Sequence, residues 1–152
     1  MKKITILSIA FAIFCTTATF AQSADRLTEM IKTKEASWGQ ACYFSAVYSG
    51  FVSEDAPYAD AITALNEKGY FKSTPNEDAP ISLKDYANIC VKTFNIKGSL
   101  FYTIFKTPRY AFRLLKANGL IPSSSDPSKI STGHEALDLF TNCMDKYREG
   151  AE

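Results

Sequence analysis

Apolar positions recur at helical spacing along most of the chain, broken at short intervals by glycine, proline and runs of turn formers. Between Ala24 and Lys34, Leu27, Met30 and Ile31 stand at i, i+3 and i+4 and predict a first amphipathic helix. A second, Trp38 to Ser49, carries Ala41, Tyr43, Phe44, Val47 and Tyr48 and stops at Gly50. The third opens at Pro57, which has no N–H to leave unpaired in a first turn, and turns Tyr58, Ala61, Ile62 and Leu65 inward before Gly69 ends it. After the loop Ser73 to Pro80, Ser82 reads as an N-cap with Asp85 three residues on, starting a helix on Tyr86, Ala87, Ile89, Cys90 and Phe94. Thr107-Pro108 opens the next, which buries Ala111, Leu114 and Leu115 and closes at Gly119. Ile130-Ser131 then leads into a last helix ending near Tyr147, with Ala136, Leu139, Phe140 and Cys143 inward. The prediction is an all-α chain of short helix-loop-helix units packed as one small domain.

The pattern also repeats. Tyr58 to Phe71 and Arg109 to Ile121 match at an offset of fifty (Ala61/Ala111, Leu65/Leu115, Gly69/Gly119), and the helices that follow them at forty-nine (Ile81/Ile130, Ser82/Ser131, Ala87/Ala136). The units span about 51–96 and 107–147, and residues 36–50 supply half of an earlier one, Ala41 answering Ala87 and Tyr48 answering Phe94. The first full unit has Phe51 and Asp55 leading in, then Tyr58-Ala59, Ala61-Ile62, Leu65, Gly69-Tyr70-Phe71, Thr74-Pro75-Asn76 and Ala79-Pro80-Ile81-Ser82. In that order and spacing it resembles an S-layer homology domain, and the similarity extends more loosely over 107–144. The resemblance implies units packed around a pseudo-threefold axis that attach envelope proteins to cell-wall polysaccharide. It also implies a Thr-Arg-Ala-Glu motif at the start of the second helix, whose arginine holds an anionic sugar. The corresponding stretches here are Ser82-Leu83-Lys84-Asp85 and Ser131-Thr132-Gly133-His134, with Leu83 and Thr132 where arginine is expected. Lys84 offers a charge one residue on, without the bidentate fork and facing another direction. A scaffold does not carry its function across when the site residues have changed.

The ends place the chain in the cell. Met1-Lys2-Lys3, an uncharged apolar run to Phe14, and small residues ending Ala18-Thr19-Phe20-Ala21 read as a secretory signal, 1–21, cleaved before Gln22. The apolar run is shorter than the roughly 20 residues of a spanning helix, and no transmembrane segment is expected after cleavage. Bulky Phe14 argues against lipoprotein processing at Cys15. Residues 22–152 then form one helical domain in the periplasm or cell envelope, long enough to bury a core. Removing two of the 17 bases leaves 15 against 16 acids, so the formal charge passes from +1 to −1 and no overall field calls for nucleic acid. The distribution is uneven: Lys92, Lys97, Lys106, Arg109, Arg113 and Lys116 all lie between Asp85 and Asp126, a stretch without an acid.

Candidate chemistry is sparse. His134 is the only histidine, none of Cys42, Cys90 and Cys143 has a CxxC partner, and no metal or other cofactor is implied. Three thiols allow one bridge; Cys90–Cys143 is favoured because both fall inward on equivalent helices, against three reduced buried thiols. His134 at a helix start lacks a positioned nucleophile and reads as a surface or capping residue, so no catalytic residues are assigned. The segment Phe94 to Tyr110 mixes rings with cations. Phe101, Ile104 and Phe105 are expected to fill the core between units. Lys106, Arg109, Tyr110 and Arg113, with Lys84 and Asp85, are the candidates for binding an anionic ligand. The resulting expectation is a non-catalytic exported envelope module that binds peptidoglycan or another surface glycan. The alternatives are a periplasmic adaptor or assembly subunit for an envelope protein and, third, a small periplasmic enzyme.

Overall fold

The computed structural model describes residues 24–98 and 100–148, so the signal reading of 1–21 and Cys15 fall outside the described residues. Helices occupy 24–32 (α1), Trp38–Tyr48 (α2), Tyr58–Glu67 (α3), Leu83–Thr93 (α4), Leu100–Phe105 (α5), Pro108–Ala117 (α6) and Gly133–Tyr147 (α7). Two isolated bridges, Ser37 to Pro80 and Ser82 to Ile130, are the only β pairing among the described residues. The chain is all-α and packs as one small domain.

Local chemistry sets the ends of these helices. In α2 the Ser37 hydroxyl accepts from the Gln40 N–H while the Gln40 side chain accepts from the Ser37 N–H, a reciprocal capping box; Thr132 and Glu135 do the same for α7. Ser82 caps α4 by accepting from the Asp85 N–H. Gly69 and Gly119 close α3 and α6 at φ of 74° and 76°, in the left-handed region where a Cβ is penalised. There Tyr70 N–H donates to Leu65 C=O at 3.0 Å, and Leu120 N–H to Leu115 C=O at 2.9 Å.

The strands leading into α2, α4 and α7 meet in a closed ring of backbone hydrogen bonds. Ala36 N–H donates to Ser131 C=O (2.8 Å), Ser131 N–H to Ile81 C=O (3.2 Å), and Ile81 N–H to Ala36 C=O (2.8 Å). A second set of bonds runs around it in the opposite sense: Trp38 N–H to Ala79 C=O, Leu83 N–H to Lys129 C=O, Gly133 N–H to Thr33 C=O. Residues 36, 81 and 131 are thus equivalent about a pseudo-threefold axis, and the caps are Ser37, Ser82 and Thr132. This corrects the alignment read from sequence by one residue. Second helices of the two full units are offset by fifty, as the first helices are. Thr132 rather than Ser131 is the cap, because Ser131 spends both backbone groups on the ring.

Around the axis α3 packs on α2, α6 on α4, and α4 touches both α2 and α7. Ala41, Cys42, Tyr86, Ile89, Cys90, Leu115, Ala136 and Cys143 are fully buried. Two expectations about burial fail. On α1 only Met30 enters the core, while Leu27 and Ile31 stay exposed. On α5, Ile104 and Phe105 are 62% and 53% exposed. This six-residue helix rests on α6, with Tyr102 half-buried against Gly98, and no described element covers its far side. The side chain of Phe101 lies outside the described residues.

Candidate functional site

The pseudo-symmetry creates three equivalent positions, each bounded by the first helical residue after one cap, the segment leading into the next second helix, and that helix's outer face. The first-helical residues are Trp38, Leu83 and Gly133. Leu83 thus keeps the place where the resemblance expects arginine, and in the last unit Gly133 takes it instead of Thr132.

The first position is an open groove of about 560 Å³. Trp38 and Phe71 form one wall, their rings edge-on at 5.4 Å and 87°. The turn at Gly69 positions Phe71, so a break in the helix 31 residues after Trp38 brings the second ring to it. The other wall is α4, with Asp85, Asn88 and Lys92 one turn apart, and the corner 106–108 completes it. The Lys92 ammonium donates to Gly69 C=O at 2.8 Å and Tyr70 C=O at 2.9 Å, which leaves one of its three donors. Partial burial, and then the charge of Lys106, lowers the Lys92 pKa, so the two cations converge on the same space. Lys106 stands at φ 43°, a left-handed conformation costly for a lysine. Asn88 is 6% exposed, and its side-chain oxygen has no hydrogen-bond partner in the protein. The Asp85 carboxylate is engaged by the Ser82 hydroxyl.

The second position is a smaller groove of about 360 Å³ between Leu83, the turn 119–125 and α7. Many of its residues answer the first at an offset of fifty, and the balance of charge passes from cationic to acidic. Glu135 stands for Asp85, Asp138 for Asn88, Asn142 for Lys92, Leu120 for Tyr70 and Ile121 for Phe71. Lys129 pairs with Glu135 and, with the cap at Thr132, holds its pKa below the usual carboxylate range. His134 is exposed and lies 2.9 Å from Asp138 on the same helix.

The third position is filled by α1. Gln40, the counterpart of Asp85, donates to Thr33 Oγ1 at 3.2 Å. Arg26 lies 4.3 Å from the Tyr43 ring and 4.9 Å from that of Tyr58, and donates to Ala56 C=O at 2.7 Å. Gly133 admits the helix: a Cβ there would stand 1.7 Å from Met30 C=O.

Of the residues singled out from sequence, Asp85 and Lys106 come together in the first groove. Lys84 lines neither groove; its backbone N–H donates to Pro127 C=O at 3.0 Å. Arg109 and Arg113 are exposed on α6, with the Arg113 guanidinium 5.8 Å from the Tyr110 ring, which stacks on Phe105 at 5.2 Å. Sequence reasoning missed Trp38, Phe71, Asn88 and Lys92 as a set. For Phe71, Asn88 and Lys92 the repeat was the available signal, because an offset of fifty sets each against a different residue, Ile121, Asp138 and Asn142. Cys42, Cys90 and Cys143 are free and buried; Cys90 and Cys143 meet as hydrogen-bonded thiols, and burial pushes the Cys90 pKa well up. No helix among the described residues is long and apolar enough to cross a membrane. Comparison of the sequence with family models and with curated proteins finds no match to either.

Proposed function

We propose that the chain is an exported, non-catalytic envelope module, related in scaffold to S-layer homology domains, that holds an acidic cell-wall glycan in the groove between Trp38 and α4. The observation that carries this reading is the convergence of Lys92 and Lys106 beside the Trp38–Phe71 wall. Aromatic faces stack the apolar face of a sugar ring, while ammonium groups make charge-assisted hydrogen bonds to a carboxylate or phosphate. The hydroxyl-rich remainder suits Asn88 and Asp85. The groove offers rings, cations and an amide, and Asp85 is held by its own cap, so its chemistry is that of binding. Export rests on the signal-like residues 1–21, and the ring of three equivalent strands supports the scaffold relation.

Co-sedimentation of the mature chain with purified cell-wall sacculi tests the reading. Binding that is lost in Lys92→Met and Lys106→Ala is the expected result. Failure of the wild type to pellet, or unchanged pelleting of both variants, removes the glycan. A protein-adaptor role is the second reading, favoured by the exposed rings of Tyr48 and Phe51. One stoichiometric partner cross-linked in intact cells, without affinity for sacculi, is its signature.

A further inference from the structure

The α5 helix presents a feature that the groove does not use. Ile104 and Phe105 are more than half exposed on a six-residue helix, and neither lines a groove described above. Phe105 is braced from one side by Tyr110, stacked at 5.2 Å and 18°, so its ring is held out by packing on α6. Beside them are exposed cations: Lys106 next in the chain, Arg109 adjoining Tyr110, and Arg113 at 5.8 Å from the Tyr110 ring, in a stretch without an acid between Asp85 and Asp126. Two adjacent bulky apolar side chains beside a cluster of cations form a contiguous exposed patch with polar neighbours, the character of an interaction site.

We propose that this patch is a contact site for an anionic phospholipid bilayer. Ile104 and Phe105 enter below the headgroups, while Lys106 and the arginines, with long stems and charged ends, stay level with the phosphates. Charge complementarity selects this occupant. A second copy of the chain docking through the same face would set Lys106, Arg109 and Arg113 against their own counterparts. The contact is peripheral, made by side chains at the interface, and Lys106 is the one residue it shares with the glycan groove.

Vesicle co-sedimentation of the mature chain tests it, with phosphatidylcholine alone and with phosphatidylcholine mixed with phosphatidylglycerol. The protein is expected to pellet with the mixed vesicles only, and less so as salt rises. The double variant Ile104→Ser/Phe105→Ser should lose about tenfold or more of that binding, and each of Arg109→Ala and Arg113→Ala about fivefold. All these side chains are exposed, so an unchanged thermal midpoint verifies that the variants fold. No preference for the anionic vesicles, or full binding by the double variant, overturns the proposal. It is equally overturned if cross-linking in cells shows a protein partner lost with the same double variant while vesicles are not bound.

Discussion

The two open grooves have the same backbone and opposite chemistry. Each lies between a capped helix start, a left-handed glycine turn and the outer face of a second helix, and the linings correspond along the turn and the helix face, while Lys106 and Lys129 each belong to one groove alone. One presents Lys92, Lys106 and Lys72 against the single acid Asp85, with Trp38 and Phe71; the other presents Glu135 and Asp138 against the single base Lys129, with Leu83 and Ile121. The third position, with glycine at the helix start, is closed by α1. Three substitutions at one equivalent position, Trp38, Leu83 and Gly133, therefore accompany three outcomes: an aromatic wall, an apolar wall and a seat for backbone.

Gly133→Ala should have the largest effect. Its Cβ would meet the Met30 carbonyl, a backbone atom that cannot step aside without moving α1. A loss of about 3 kcal/mol in urea unfolding is expected, the upper range for overpacking. A loss below 0.5 kcal/mol, the scale of a neutral surface change, would mean that α1 is not seated as described.

Lys106→Gly should separate stability from binding. Glycine removes the left-handed strain at φ 43°, for a gain of about 1 kcal/mol in urea unfolding. It also removes one of the two convergent cations and should weaken glycan binding about fivefold, the size of one exposed charge contact. If stability and affinity fall together, the residue is structural rather than held in strain at a site.

The smallest effect concerns the acidic groove. Glu135 is held below its ordinary pKa chiefly by Lys129, with help from the cap, so its folded value lies under its unfolded one. Its stabilisation is full above the unfolded value near 4.5 and is lost as pH falls through the folded value. The difference in thermal midpoint between wild type and Glu135→Gln should be a degree or two at pH 7, and shrink toward pH 3. A difference that grows on acidification contradicts the assignment.

The helices were legible because each carries its own punctuation: Gly69 and Gly119 end α3 and α6, and Ser82 and Thr107-Pro108 start α4 and α6. The last cap was misread by one residue. Ser131 and Thr132 are both competent hydroxyls, and only the ring, which takes the backbone of Ser131, chooses between them. Ile104 and Phe105 have the spacing of core residues, and nothing local announces that no element packs over them. The groove was harder still. Trp38, Phe71 and Lys92 lie on three different elements, and only the threefold arrangement of those elements brings them together. The cationic stretch was visible, but Lys92 and Lys106 line the groove while Arg109 and Arg113 on α6 do not.

Trp38 is the only tryptophan in the chain and it stands in the cationic groove, so its fluorescence reports that groove alone. Titration of the mature protein with a soluble acidic fragment of cell-wall glycan is the most direct test. Saturable quenching or a spectral shift is predicted, weakened about tenfold or more in Lys92→Met and unchanged in Glu135→Gln, which lies in the smaller groove away from Trp38. No change in Trp38 emission at any glycan concentration, or an equal response in Lys92→Met, would contradict the account.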